Sequence, residues 1–232
     1  MTQAIFFREH GGVKTLPEGM RYGEQLITPA EEKALVARVR EMPFKEFEFH
    51  GHKGKRRTVS FGWQYEFSGR GALKKANDIP HFILPLRAIA AKFAHIEPET
   101  LEHVLVIEYG AGAGIGWHRD KPVFGEVIGV SLLARCVLRF RRNVAGESEH
   151  EVTVGTNSDE VRIGHGGDLL PVEVPLQKRP TWERVNLLAE PRSAYHLAGP
   201  ARFEWQHSIL RVDQLRYSIT FRNLRGVRQA DV

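Results

Sequence analysis

Arg216-Tyr217-Ser218-Ile219-Thr220-Phe221-Arg222 alternates charged or hydroxylic side chains with large apolar ones, without a break. A period of two marks a β-strand that buries one face. Tyr217, Ile219 and Phe221 are therefore expected to enter a core, while Arg216, Ser218, Thr220 and Arg222 share the opposite face. Two arginines on one polar strand face imply an anion. The guanidinium is planar, always charged and pairs with carboxylates in a forked geometry. At ~3.3 Å per residue the ends of this face lie ~20 Å apart, a gap that two arginine arms leaning together can close on a short dicarboxylate.

Upstream, in Arg202-Phe203-Glu204-Trp205-Gln206-His207-Ser208-Ile209, alternation puts Phe203, Trp205, His207 and Ile209 on one face. His207 then points inward and needs a partner for its ring nitrogens, which a metal ion supplies. His196, just ahead of Gly199-Pro200, is the rival. Earlier still, Gly116-Trp117-His118-Arg119-Asp120 holds a histidine and a carboxylate at i and i+2, spaced to project from the same side of an extended strand. Two histidines and one carboxylate on one face of a metal leave the opposite positions open, an arrangement suited to Fe(II) that must also bind a co-substrate and oxygen.

The rest of the chain sets the frame. Thr28-Pro29-Ala30-Glu31 combines an N-cap hydroxyl, proline at the first helical position and glutamate three residues after the cap, which predicts a helix over 29–41. Leu86, Ile89, Ala90 and Phe93 fall on one stripe of a second helix over 83–94, with Pro85 in its first turn. Beyond Pro98 the pattern becomes short strands over 104–109, 127–133, 136–141, 168–174 and 217–222. The 110–114 stretch, Gly110-Ala111-Gly112-Ala113-Gly114, reads as a turn, since it lacks the Lys-Ser/Thr of a phosphate loop. The expectation is an α+β protein with a jelly-roll core, N-terminal helices and a β-rich substrate lid. Residues 1–100 would pack on a core of 101–226 as one structural domain.

Among 232 residues, Cys136 is the one cysteine, which excludes an internal disulfide and any thiolate metal cluster. Met1 to Gly11 lacks a basic-then-apolar leader, and no run of ~18 apolar residues occurs. The expectation is a cytoplasmic monomer with no membrane partner. A net charge of +5 permits an anionic partner.

Taken in order, His118-x-Asp120, His207 and Arg216-x-Ser-x-Thr-x-Arg222 resemble the iron- and 2-oxoglutarate-dependent oxygenases of the AlkB type, over about Phe61 to Leu224. The resemblance implies a double-stranded β-helix (jelly-roll) fold, with Fe(II) held by His118, Asp120 and His207 as the catalytic centre. It further implies 2-oxoglutarate held by Tyr109, Arg216, Ser218 and Arg222, Arg216 taking the distal carboxylate, and O2 as co-substrate. Trp205-x-His207-x-Ile209 is similar to the family's distal-histidine segment and favours His207 over His196. The chain departs from the family at Ile107 and Ser218, where asparagine is common, and at Lys121-Pro122, where repair enzymes often carry an acidic residue.

Substrate features lie near the start. His50 to Arg57 concentrates basic side chains, and Phe61, Trp63, Tyr65 and Phe67 alternate directly after it. An aromatic strand face stacks on bases while arginine holds phosphate. The resemblance places this stretch at the family's nucleotide-recognition lid, making Trp63, Tyr65 and Arg57 the expected contacts to an alkylated DNA or RNA base. Arg135, Arg139 and Arg141 form a further basic face, either a second phosphate stripe or a solvated outer surface. The implied activity is oxidative demethylation of nucleobases. The alternatives are an oxygenase acting on a protein side chain or small molecule, and a non-catalytic nucleic-acid-binding jelly roll.

Overall fold

Thr28 caps the first helix as its sequence demands. Its hydroxyl accepts the Glu31 backbone N–H at 3.2 Å, and the Glu31 carboxylate accepts the Thr28 N–H at 2.7 Å. The computed structural model describes residues 15–49, 52–65, 73–144 and 181–225. In chain order the elements are β1 (Met20–Gly23), α1 (Pro29–Val39), β2 (Lys45–Phe49), β3 (His52–Tyr65), β4 (Leu73–Lys75), α2 (Leu84–Ala94), β5 (His103–Tyr109) and β6 (Ile115–His118). Then come β7 (Phe124–Leu132), β8 (Cys136–Asn143), β9 (Trp182–Ala189), β10 (Ala194–Leu197), α3 (Gly199–Phe203), β11 (Gln206–Ile209) and β12 (Arg216–Leu224). Contacts divide the chain into two compact units, 1–142 with 184–232 and 143–183, and the site described below belongs to the first.

The architecture is α+β with two antiparallel sheets. The large sheet runs β1-β10-β7-β12-β5-β3-β2, with β4 against β3, and the small one runs β6-β11-β8-β9. β12 lies centrally, hydrogen-bonded along both edges to β5 and β7, and both of its faces are buried. Tyr217, Ile219 and Phe221 enter a core with Leu35, Val36 and Val39 of α1 and Leu86, Ala90 and Ala91 of α2. A second core lies between the sheets, joining Ile107, Tyr109, Val127 and Leu197 to Leu138, Phe140, Leu187 and Ile209. Arg216, Ser218, Thr220 and Arg222 therefore face the space between the sheets, and all four are buried.

The predicted helices and most predicted strands are present, with shifted ends. α1 stops at Val39, two residues short, because Glu41 and Met42 turn back onto the carbonyls of Arg38 and Val39 in i to i−3 bonds that tighten the chain out of the helix. The strand predicted over 168–174 lies outside the described residues. Phe203 does not share an inward face with Trp205 and His207: the Gly199-Pro200 step opens α3, the strand starts only at Gln206, and Phe203 is 41% exposed. There its ring packs between the guanidinium groups of Arg202 and Arg225.

Thr28→Ala removes one arm of the capping box and is expected to lower stability by ~1 kcal/mol, measured as a lower urea midpoint with an unchanged m-value.

Candidate active site

Strand register brings the two histidines together. β6 and β11 are antiparallel neighbours in which His118 stands directly opposite His207, and their ring centroids lie 4.2 Å apart. His118 Nδ1 is 2.9 Å from the Gly116 carbonyl. An acceptor there fixes the proton on Nδ1 and leaves Nε2 with a free lone pair. His207 is buried, and burial pushes its ring down to about 3, while His118 is lowered for the same reason. Both rings are neutral at ordinary pH.

Asp120 lies two residues past the end of β6, so strand alternation does not aim it. Arg222 and Arg202 do. The Arg222 Nε and Nη2 groups donate to Asp120 Oδ1 at 2.8 and 2.6 Å. This leaves Oδ2, which is 3.7 Å from His207 Nε2. Burial opposes ionisation of Asp120, yet the Arg222 guanidinium overrides it and holds the carboxyl below the usual range. Arg202, on α3, donates to the carbonyls of Lys121, Phe124 and Gly125 at 2.6 to 2.8 Å and so clamps the turn that follows Asp120. Sequence reasoning missed Arg202, whose partners are all backbone carbonyls distant in sequence.

These groups fit a divalent metal. Donors ~2.1 Å from one ion sit ~3 Å apart when at right angles, and the 3.7 Å spacing is only slightly wider. Metal ligands must be neutral imidazole and ionised carboxylate, the states that burial and Arg222 impose. Among the described residues no group of three or more His, Cys, Asp or Glu side chains is closed into a ready-made cage; the three converge with Asp120 drawn toward Arg222. His196 is elsewhere. It stands opposite Ile128 of the helix-side core, 2.8 Å from Glu126.

Deeper between the sheets, Arg216 is 1% exposed. Its Nε donates to Ser131 Oγ at 3.1 Å, its guanidinium lies 5.0 Å from the Tyr109 ring centre, and its Nη1 has no partner. Among the described residues no carboxylate pairs with it. A buried cation without a counter-charge is costly, so this end of the site is built for an anion that arrives from outside. Arg222 also directs Nη1 at His103 Nδ1, 3.3 Å away. Arginine only donates, so His103 is neutral and protonated on Nε2. Burial, with Arg222 beside it, lowers this ring to about 3.

A cavity of about 330 Å³ opens beside the cluster. Leu105, Ile107 and Ile115 supply apolar wall, Arg56, Arg119 and Lys121 basic groups, and His118 and Asp120 its inner end. Arg57 does not reach it. Its guanidinium forks onto Glu108 at 2.7 and 2.9 Å, leaving its neighbour Arg56 to face the cavity. Trp63 borders a separate depression with Lys75 and Arg87, and Phe61 is core beneath the helices. The Tyr65 side chain and Phe67 lie outside the described residues.

A family model described as the 2OG-Fe(II) oxygenase superfamily matches residues 19–222. The chain belongs to that superfamily. The oxygenase is also 24% identical, over 211 residues, to an Arabidopsis thaliana protein named "Alkylated DNA repair protein ALKBH8 homolog", covering 87% of this chain and 54% of that protein. It thus spans about half the length of the curated relative it matches. Among solved structures, a Pseudomonas putida prolyl-4-hydroxylase superposes with a TM-score of 0.47 at 14% identity, covering 90% of this chain and 94% of that one.

His103 and His207 make the metal-free oxygenase acid-sensitive. In the unfolded chain each ring takes a proton below about pH 6.5, whereas in the folded protein each resists protonation down to about 3. Between these limits the unfolded state holds more protons, so stability falls as pH falls. The melting temperature should drop steadily from pH 7 to pH 4.5, and less steeply in His103→Gln; a flat profile would contradict the burial of neutral rings.

Proposed function

We propose that this oxygenase removes alkyl groups oxidatively from nucleobases of DNA or RNA, using Fe(II) and 2-oxoglutarate bound between two sheets that form a distorted double-stranded β-helix. The observation that carries the cofactor reading is the union of a His118, Asp120 and His207 cluster with the unpartnered buried guanidinium of Arg216. In this reading His118 and His207 offer neutral nitrogens to the iron, and Asp120 offers the carboxylate oxygen that Arg222 leaves free. Arg216, with Tyr109 against it and Ser218 beside it on β12, receives the distal carboxylate. Arg222 fixes Asp120 and adds positive charge near the metal end. With iron, 2-oxoglutarate and O2 in place, the site supplies oxidation of a C–H bond, and an N-methyl carbon so oxidised leaves as formaldehyde.

The nucleobase half rests on two supports. One is the similarity to a protein named for repair of alkylated DNA. The other is the cavity, whose apolar walls suit a flat ring and whose basic groups Arg56, Arg119 and Lys121 suit the phosphates on either side. The contact expected of Arg57 passes to Arg56. Trp63, outside the cavity, and Tyr65, two residues on, take the role of stacking on bases that neighbour the target.

Alanine at His118 or Asp120 is expected to abolish iron-dependent formation of succinate from 2-oxoglutarate; undiminished turnover in either variant ends the metal assignment. Arg216→Lys keeps the charge but loses the fork, and should raise the KM for 2-oxoglutarate at least tenfold while iron binding is retained. Formaldehyde release from a panel of N-methylated single- and double-stranded oligonucleotides tests the substrate. Arg56→Ala should weaken oligonucleotide binding and reduce its salt slope by ~1. Succinate formation with every oligonucleotide inert would move the substrate to a protein side chain or a small molecule.

A further inference from the structure

His103, Leu105 and Ile107 alternate along β5 and line the cavity beside His118 and Asp120. A period of two places them in one row on the same face of the strand. Leu105 and Ile107 give that row its apolar part, and His103, at its end, adds ring nitrogens. On one side His103 stands opposite Arg222 of β12, and on the other opposite Gly62 of β3, which has no side chain to cover it. Its ring lies against Phe124, a further cavity residue, with centroids 4.6 Å apart.

Arg222 decides what this ring can do. Its Nη1 lies 3.3 Å from His103 Nδ1, and because arginine only donates, Nδ1 is the acceptor and the ring proton sits on Nε2. A histidine free of such a partner exchanges the two roles between its nitrogens. Here Nδ1 is taken, so Nε2 is a donor that cannot turn into an acceptor. Among the described residues no hydrogen bond uses it. A donor on the wall of a cavity that admits substrate is satisfied by what enters, and a ligand without the matching acceptor leaves it stranded.

N-methylated bases answer a fixed donor in two ways. In 3-methylthymine a carbonyl oxygen flanks the methylated nitrogen on each side, so an acceptor lies beside the carbon to be oxidised. In 1-methyladenine the flanking positions are a C–H and the carbon that bears the amino group, whose hydrogens meet the donor head-on. A site built to hydrogen-bond one partner rejects the analogue that lacks the acceptor far more strongly than it rejects a small change of size. The hydroxyls of Thr58 and Ser60, which also line the cavity, can donate or accept and so do not discriminate.

We propose that His103 Nε2–H donates a hydrogen bond to a carbonyl oxygen adjacent to the methylated nitrogen of the substrate base, and so makes this oxygenase prefer bases with such a carbonyl over bases with an amino group in its place. This rests on the nucleobase reading given above. Arg222 then acts in two directions: its Nε and Nη2 hold Asp120, and its Nη1 fixes the tautomer that reads the base.

The parent protein gives the first test. Its kcat/KM for formaldehyde release from an oligonucleotide carrying 3-methylthymine should exceed that from the same sequence carrying 1-methyladenine by about tenfold or more. In His103→Phe, which keeps a ring but has no donor, that ratio should fall about tenfold. His103→Gln, whose amide can accept from Arg222 and donate in place of Nε2, should keep most of it. The affinities of the two oligonucleotides for Mn(II)-loaded protein, in which no turnover occurs, should move in parallel. Mn(II) affinity itself should not change; a shift in the ratio seen only together with weakened Mn(II) binding makes His103 a support of Asp120 and overturns the assignment. A parent with no preference for the carbonyl base, or equal losses on both bases in His103→Phe, overturns the assignment of His103 alone. Formaldehyde from neither base, with succinate still formed, overturns the nucleobase reading as well.

Discussion

Two guanidinium groups buried between two sheets constrain everything else in this molecule. Arg216 and Arg222 lie on the inner face of a strand hydrogen-bonded on both sides, so neither can swing to solvent without unpairing the centre of the large sheet. Charge at that depth has to be answered. Arg222 is answered from within, by Asp120, and the answer positions a carboxylate that lies beyond the end of its strand. Because Arg222 also donates to His103, that ring is forced into one neutral tautomer. Among the described residues Arg216 has neutral partners alone, the Ser131 hydroxyl and Tyr109. The protein thus carries a positive charge completed by what it binds.

The asymmetry between the two arginines gives the site its polarity. One end holds the carboxylate and two imidazoles in the protonation states a metal requires. The other holds a cation waiting for an anion. A small dicarboxylate that also ligates a metal matches both ends at once, whereas a monocarboxylate or a phosphate matches only one. The cavity opens beside His118 and Asp120, which form part of its wall, so under the proposed metal assignment a substrate entering there meets the reactive end first.

Features of this chain were legible in sequence where they depend on local period. The alternation from Arg216 to Arg222 put the right residues on each face of β12, the capping box at Thr28 began α1 where expected, and the spacing of polar and apolar residues turned His207 inward. Features that depend on which strands meet were not. The Tyr195 ring packs over Gly129 of the neighbouring strand although the two are distant in sequence, and Arg202 acts through carbonyls that carry no side-chain signature. The aromatic alternation from Phe61 misled for a third reason. At Gly62, where φ is +79°, the backbone N–H donates to the Asn77 carbonyl while that of Trp63 donates to Glu102, and such an irregularity re-aims the side chains that follow. Phe61 therefore belongs to the helix-side core, and Trp63 borders a different surface. Arg57 and Arg56 show the same sensitivity at its simplest, since adjacent strand residues face opposite ways.

The basic face expected around Arg139 and Arg141 also has a role tied to the site. Arg139 Nε donates to Ser208 Oγ at 3.0 Å and Arg141 Nε to Gln206 Oε1 at 2.7 Å, the two residues that flank His207. Both guanidinium groups also stack on Trp117, 4.9 and 4.4 Å from its ring centre, and Trp117 immediately precedes His118. The outer surface of the small sheet thus ties the neighbours of one histidine to the neighbour of the other. Alternation makes this effective: in each strand the residues beside the inward histidine point outward, so bracing them fixes the backbone from which the imidazole projects. Arg135 precedes β8 and takes no part. Whatever anion these arginines also meet, their first consequence is that His118 and His207 are held in register from behind, while Arg222 sets the carboxylate from in front.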